Sequence, residues 1–287
     1  MLTRADHYLK NAIEKIKMEG FIDKNPRPHW NDGSPAHTIS INHVIRTYDL
    51  SKGDFPITTL RPIYWKSAIK EMLWIYQDQT SSLDILQDKY KLGNIWYDWE
   101  SEMFPKTIGY RYGHTVKKYK LIDKLINDIK NNPYGRRHIM DLWQEEEFSE
   151  SDGLYPCAFL TIWNVRNEYI DMCLIQRSGD MITASGAGCF NECGYAALLM
   201  MVANVTGYRP GVFTHFIANE QIYDRHKEIA NELLIRYKNK EHNVEKVDRP
   251  RLIINQNIKD FYDYTIDDFT MLNYNPIKPQ IKIEVAI

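Results

Sequence analysis

The stretch from Cys157 to Val205 constrains the fold most. CAFLTIWNVRNEYIDMCLIQRS reads as two strands of an antiparallel pair, and a long apolar helix follows from about Cys193 to Val205. Other segments repeat the mixture. In residues 3–19, Ala5, Tyr8, Leu9, Ala12, Ile13 and Ile16 fall at spacings of three and four and predict an amphipathic helix. TISINHVIRTYDL alternates and is β-branched, as a strand should be, and a helix from about Tyr64 to Gln77 follows it. Residues 118–131 read as a helix, HIMDLW and VFTHFIANEQIYD as strands, and DRHKEIANELLIRY as a helix. The C-terminal third reads as short strands ending in IKIEVAI. NPRPHWNDGSPAH and the acidic EEEFSESDG are expected to be loops, the latter solvated, and residues 78–116 read as loop-rich with three aromatic-dense pieces, GNIWYDW, SEMFP and IGYRYGH. No internal repeat or low-complexity tract divides the 287 residues. The expectation is an α+β chain, one domain over residues 1–287, with a mixed, largely antiparallel sheet covered by helices.

The formal net charge of −2 gives no general attraction to polyphosphate backbones. Neither a signal-peptide pattern nor a run of ~18 apolar residues occurs, so a cytoplasmic location is expected. Four cysteines, Cys157, Cys173, Cys189 and Cys193, are too few and too clustered for a secreted disulfide framework and read as free thiols. Cys189, Cys193, His215 and His226 lack the spacing of a zinc site. The glycines of SGDMITASGAG sit in no strand-loop-helix phosphate motif and read as a flexible loop.

Two residues stand out chemically. Cys157 follows Pro156 at the head of an apolar strand, where it reads either as a small buried hydrophobe or as a nucleophile. Nucleophilic work needs the thiolate, hence a nearby cation, and Arg177 or the Arg136-Arg137 pair could supply one. The arginine pair is solvated surface charge or a fork for a phosphate. Glu71 lies within an apolar helix, where a carboxylate is either a satisfied structural group or a tuned acid/base. Trp96 and Trp99 read as core aromatics or as stacking surfaces for a flat heterocycle.

Taken together, KEMLWIYQDQT, IWYDWESE, IGYRYGH, NNPYGRRHIMDLW, LYPCAFLTIWNV, LIQRSGDM, FNECGYAALLMMVA, QIYDRH and PIKPQIKIEVAI resemble the thymidylate synthase family, in shared order through nearly the whole chain. The resemblance implies a pyrimidine nucleotide, dUMP, reductively methylated to dTMP by 5,10-methylenetetrahydrofolate, with no metal, flavin or nicotinamide. It makes Cys157 the nucleophile at uracil C6. Glu71 and Tyr112 become proton-handling residues, and Arg177 and Asn191 catalytic partners. It implies a dUMP site of Arg27, Gln176, Arg177, Ser178, Asp180, Asn191, Gln221 and Tyr223, completed by Arg136 and Arg137 of the other subunit of a homodimer that pairs through its sheet. Trp96, Asp180, Ala286 and Ile287 would meet the folate, with the apolar chain end closing over it. An amide such as Asn191 suits the N3-protonated, 4-oxo edge of uracil.

Two departures from the family pattern accompany the resemblance. The loop between Arg177 and Asn191 is a few residues longer, so Gly186, Ala187 and Gly188 receive no role. Gln221 and Asn219 stand where a histidine and an aspartate are common. Two alternatives share the scaffold: a dUMP or dCMP hydroxymethylase, and a non-catalytic RNA-binding relative. The latter conflicts with the presence of Cys157, Glu71, Tyr112, Arg177 and Asn191 together and with the lack of a basic stripe.

Overall fold

The computed structural model describes residues 1–92, 96–242 and 248–287; residues 93–95 of the aromatic segment GNIWYDW lie outside the description. Nine strands alternate with helices among the described residues. They are β1 (Phe21–Ile22), β2 (Thr38–Asp49), β3 (Ile139–Asp141), β4 (Ala158–Arg166), β5 (Tyr169–Gln176), β6 (Gly179–Asp180), β7 (Arg209–Tyr223), β8 (Arg251–Ile254) and β9 (Phe269–Leu272). The helices are α1 (Arg4–Glu19), α2 (Trp65–Met72), α3 (Leu83–Tyr90), α4 (Gly113–Tyr119), α5 (Leu121–Asn131), α6 (Glu145–Glu150), α7 (Phe190–Thr206) and α8 (Lys227–His242).

The main sheet runs β1-β2-β7-β5-β4-β3, with β6 also beside β7. Its ladders are antiparallel except β5/β7 and β6/β7, which are parallel. Parallel neighbours need a long crossover, and here α7 provides it. Most of this helix is buried, from Glu192 through Val205, and its all-round apolar sequence follows from packing between the sheet and α2. On α1, the expected apolar face is buried, and Thr3 and Asp6 form a capping box at its start.

The second face of the sheet is apolar yet uncovered within one chain. Ile45 pairs with Phe216, Phe216 with Ile175 and Ile175 with Leu160, a row crossing four strands. Ile45 is 61% exposed and Ile139, near the sheet edge, 46%.

Three expectations fail locally. Residues 78–116 contain α3, started by Ser82, whose hydroxyl accepts the Ile85 N–H. IKIEVAI is no strand: the tail runs in irregular, half-buried backbone, and Ile287 exchanges two backbone hydrogen bonds with His29, at 2.7 and 2.9 Å. EEEFSESDG is not a solvated loop either. It forms α6, with Glu145 and Glu146 exposed but Glu147 fully buried, accepting from the Thr115 hydroxyl at 2.5 Å beside His114 and Lys118. The buried Arg111 guanidinium donates to the carbonyls of Tyr110, Glu147, Ser151 and Gly153 and lies over the rings of Phe148 and Tyr155. Charge density in the sequence gave no sign that one glutamate in three turns inward.

Glu147→Ala strands the Thr115 hydroxyl, so it should cost about 1–3 kcal/mol in chemical denaturation, whereas Glu146→Ala should stay within about 0.5 kcal/mol. Equal effects of the two substitutions would contradict the structural role of Glu147.

Candidate active site

Cys157 sits just before β4, half-buried, and the end of β5 lies beside it: the Arg177 N–H donates to the Cys157 carbonyl at 2.9 Å. On the other side the Cys157 N–H donates to the Tyr112 hydroxyl at 3.1 Å. Tyr112 is buried with φ +49°, a conformation that a bulky residue adopts only when its surroundings force it. The force is visible next door. A Cβ on Gly113 would lie 2.2 Å from the Thr80 carbonyl oxygen, so the chain must turn at Tyr112 in close contact with residue 80. This strained residue touches the candidate nucleophile, and strain of this kind clusters at active sites.

The thiol is not the low-pKa group expected from the sequence. Burial pushes Cys157 above its ordinary value, and the opposing pull of Arg177 and Arg27 does not overcome it. The reason is geometric. Arg177 donates from Nε to the Pro156 carbonyl at 3.0 Å and from Nη2 to the Tyr155 carbonyl at 2.8 Å. Its charge is thus spent on the loop before Cys157, and Arg27 is exposed.

Glu71, on α2, is the tuned carboxyl. Burial raises it to about 7, against the opposing hydrogen bond from the Trp96 indole N–H at 2.7 Å. Trp96 therefore first serves to hold Glu71. Its ring also meets Tyr112 edge-on, at 5.3 Å between centroids, so Glu71, Trp96, Tyr112 and Cys157 form one continuous group.

A second group lies between β5, β6, β7 and the start of α7. Gln176 donates to the Ser178 carbonyl and the Ser185 hydroxyl, both at 2.7 Å. Asn191, in the first turn of α7, donates from Nδ2 to Gln176 Oε1 at 3.3 Å and to Ser185 Oγ at 3.2 Å. The β6/β7 ladder sets Asp180 opposite Gln221, and the Gln221 amide donates to the Ser178 hydroxyl at 3.2 Å. Tyr223 is raised to about 12, by burial first and then by Asp180, and the charges of Cys157 and Arg27 also reach it. This electrostatic reach links the two groups. Asp180 Oδ1 accepts the N–H groups of Ile182 and Thr183, while Oδ2 accepts none among the described residues.

The loop carrying Arg27 is tied to the chain end. Besides the His29–Ile287 pairing, Arg225 bridges Asp32 at 2.6 Å and Glu284 at 3.1 Å, and Ala286 packs against Trp30, Ala36 and Tyr223. Arg136 and Arg137, by contrast, are exposed and form no ion pair among the described residues.

The glycine-bearing segment after Arg177 departs from the flexible loop expected. Met181 and Ile182 enter a hydrophobic cluster with α1 and α8, and Ala187 is fully buried. Gly188, at φ +66°, lies where a Cβ would sit 2.3 Å from the Thr58 nitrogen. Close packing, rather than mobility, accounts for its glycines.

Sequence reasoning missed four buried partners of this site: Arg46, Glu192, His215 and Glu220. Arg46 forms ion pairs with both glutamates, and His215 stands between Glu192 and Gln176. The signal was available for Glu192, a carboxylate in the apolar run NECGYAALL, by the same argument that singled out Glu71.

The family model for thymidylate synthase matches residues 6–287. Curated thymidylate synthases of Streptococcus sanguinis and Lactococcus lactis subsp. cremoris are 46% and 44% identical, each aligned over the full length of both chains. The solved structure of thermostable thymidylate synthase A from Bacillus subtilis superposes with a TM-score of 0.86 at 33% identity, covering 99% of each chain. The chain belongs to the thymidylate synthase family of folate-dependent methyltransferases.

Proposed function

We propose that the conversion of dUMP to dTMP is carried out in this chain by Cys157 as the nucleophile, with residues 1–287 acting as one catalytic domain of a cytoplasmic homodimer. The observation that carries the assignment is the continuity from Glu71 through Trp96 and Tyr112 to Cys157. The Cys157 thiol gives up its proton to solvent as sulfur bonds to pyrimidine C6, and the displaced electron pair moves to the C4 oxygen as an enolate. Asn191 meets the N3–H and 4-oxo edge, while Gln176 and Ser178 hold the amide network behind it. Gln221 and Tyr223 face the sugar side, and Tyr223, held neutral by its raised pKa, remains a hydrogen-bond donor. Arg27, Arg177 and Ser178 take the phosphate, so that Arg177 exchanges two backbone carbonyls for it.

5,10-Methylenetetrahydrofolate, the co-substrate, supplies the one-carbon unit and the hydride. The residues present suit it. Asp180 has a carboxylate oxygen free of hydrogen bonds among the described residues, and Thr183 Oγ1 and His226 Nδ1, the latter 3.9 Å from Asp180 Oδ1, are buried without a hydrogen-bond partner. Trp96 offers an indole face, and Ala286 and Ile287 border the Arg27 loop and exclude water when the tail is seated. Glu71 is poised to exchange a proton near neutral pH.

The homodimer reading rests on the apolar row of exposed Ile45 and half-buried Phe216, Ile175 and Leu160, which a second copy would cover isologously. The same pairing would bring Arg136 and Arg137 to the partner's phosphate site, a role consistent with their exposure and their lack of ion pairs among the described residues.

Three outcomes are expected. Cys157→Ser should abolish dTMP formation while dUMP still binds, since the hydroxyl does not ionise at neutral pH; residual activity above a few per cent would remove Cys157 from the mechanism. Hybrids of Cys157→Ser subunits with Arg136→Ala/Arg137→Ala subunits should regain activity at one composite site per dimer. Hybrids as inactive as both parents, under proven subunit exchange, would rule out sharing. For Glu71, a folded pKa of about 7 lies above the unfolded value, so the native state binds more protons and loses stability as pH rises between the two values. Glu71→Gln should therefore gain stability relative to wild type on going from about pH 5 to pH 8, by roughly 3 kcal/mol at most. A stability difference independent of pH would show that Glu71 is ionised throughout.

A further inference from the structure

His215 on β7 is fully buried, and both ring nitrogens face oxygen. Nδ1 lies 2.9 Å from Glu192 Oε1 and Nε2 lies 3.0 Å from Gln176 Oε1. A neutral imidazole carries one N–H and can satisfy one of them. Which oxygens are acceptors can be settled from fixed neighbours.

Glu192 is ionised. Its two oxygens also accept from the Gly188 N–H at 2.6 Å, the Tyr48 hydroxyl at 2.7 Å and Arg46 Nη1 at 3.1 Å, and Arg46 and His215 hold its pKa below the ordinary value despite burial. His215 Nδ1 must then donate. The Gln176 amide cannot be turned round to relieve Nε2, because its Nε2 lies 2.7 Å from the Ser178 backbone carbonyl, which is an acceptor by necessity. Turning it would set oxygen against oxygen there and nitrogen against the Asn191 donor. Gln176 Oε1 therefore stays on the histidine side, and His215 Nε2 must donate as well.

Charge counting agrees. Facing His215 are Glu192 from α7, Arg46 from β2, Gln176 from β5 and Phe213 from β7, while Tyr48 on β2 reaches it through Glu192 and Glu220 on β7 through Arg46. With His215 neutral, two buried carboxylates share one buried guanidinium; with His215 charged, the cluster is neutral. Burial, helped by Arg46, pulls the imidazole pKa down more than Glu192 pushes it up, so the charged form stands on hydrogen-bond geometry and not on the field of its neighbours. The carbonyl of Gln176, a second acceptor with no alternative orientation, decides for the charged form.

We propose that His215 is a buried imidazolium, clamped between the Glu192 carboxylate and the Gln176 carbonyl, that positions the Gln176–Asn191 amide pair for the 4-oxo edge of a pyrimidine. It is a positioning residue for the proposed substrate contact and rests on that reading of Asn191. Because His215 already donates to Gln176 Oε1, the long 3.3 Å bond from Asn191 Nδ2 can be transferred to a substrate carbonyl without stranding the glutamine oxygen. Asn191 Oδ1 stays free to accept the N3–H.

Two experiments test this on the full-length protein. In wild type with 15N-labelled histidine, the His215 resonances should show protons on both ring nitrogens, unchanged from about pH 6 to pH 9. A neutral tautomer anywhere in that range overturns the proposal. His215→Gln, which removes the charge, should weaken dUMP binding roughly 10- to 100-fold and shrink the preference for dUMP over dCMP by a comparable factor. A variant with lower Tm but an unchanged dUMP-to-dCMP ratio of Kd values would reduce His215 to a structural group and overturn it too. Should that variant not fold, the wild-type resonances decide. Failure of wild type to form dTMP would sink the proposed function while leaving the protonation result standing, so the two failures are distinguishable.

Discussion

The carboxylate of Glu192 is the contact on which the site's geometry depends. It accepts from the turn at Gly188, from Tyr48 and Arg46 on β2 and from His215 on β7, and so joins the start of α7 to two neighbouring strands. A buried charge missing one of these partners would cost several kcal/mol, so the four donors and the acceptor specify one another's positions. An apolar helix on an apolar sheet face could slide or rotate at small cost, because hydrophobic contact has no direction. The ion cluster removes that freedom. Asn191 is the residue before Glu192, and its amide inherits the same register.

Around this anchor the site collects side chains from distant parts of the chain, each on a rigid element. Asn191 comes from α7, Gln176 and Arg177 from the end of β5, Gln221 and Tyr223 from the end of β7, and Glu71 from α2. The parallel pairing of β5 with β7 lets both strands deliver their C-terminal ends to one place, which antiparallel neighbours cannot do. Charge is managed by occupation. Arg177 is held by two carbonyls, Glu71 by one indole and its burial, and Cys157 rests as a thiol. Each of these groups can exchange its present partner for a ligand without leaving a buried charge unpaired.

The chain end shows the same economy. Its apolar residues do not extend a sheet but lie against the loop of Arg27 and against Tyr223, fastened by Arg225 and by the backbone of His29. The partly exposed apolar row on the far side of the sheet is the other unfinished surface, and its regular cross-strand spacing distinguishes it from scattered surface hydrophobics.

Local pattern was enough for much of the fold. The periodicities of residues 3–19, of TISINHVIRTYDL and of the strand pair after Cys157 correspond to α1, β2, β4 and β5, because these elements bury one recognisable face or stripe. Glu71 and Cys157 were legible as oddities of residue type in apolar surroundings. The helices α3 and α6 were not, since loop-like composition hid a Ser82 cap and an inward-facing Glu147. The partners of Glu192 were not legible either: Arg46 and His215 lie on strands that meet only when β2 pairs with β7, and a lone charge in an alternating strand says nothing of what it will face. By itself the sequence determined the elements that bury one regular face and which residue types could do chemistry. The tertiary structure decided their state, because the protonation of Glu71, the neutral thiol of Cys157 and the donors around Glu192 depend on desolvation and on partners that distant segments supply.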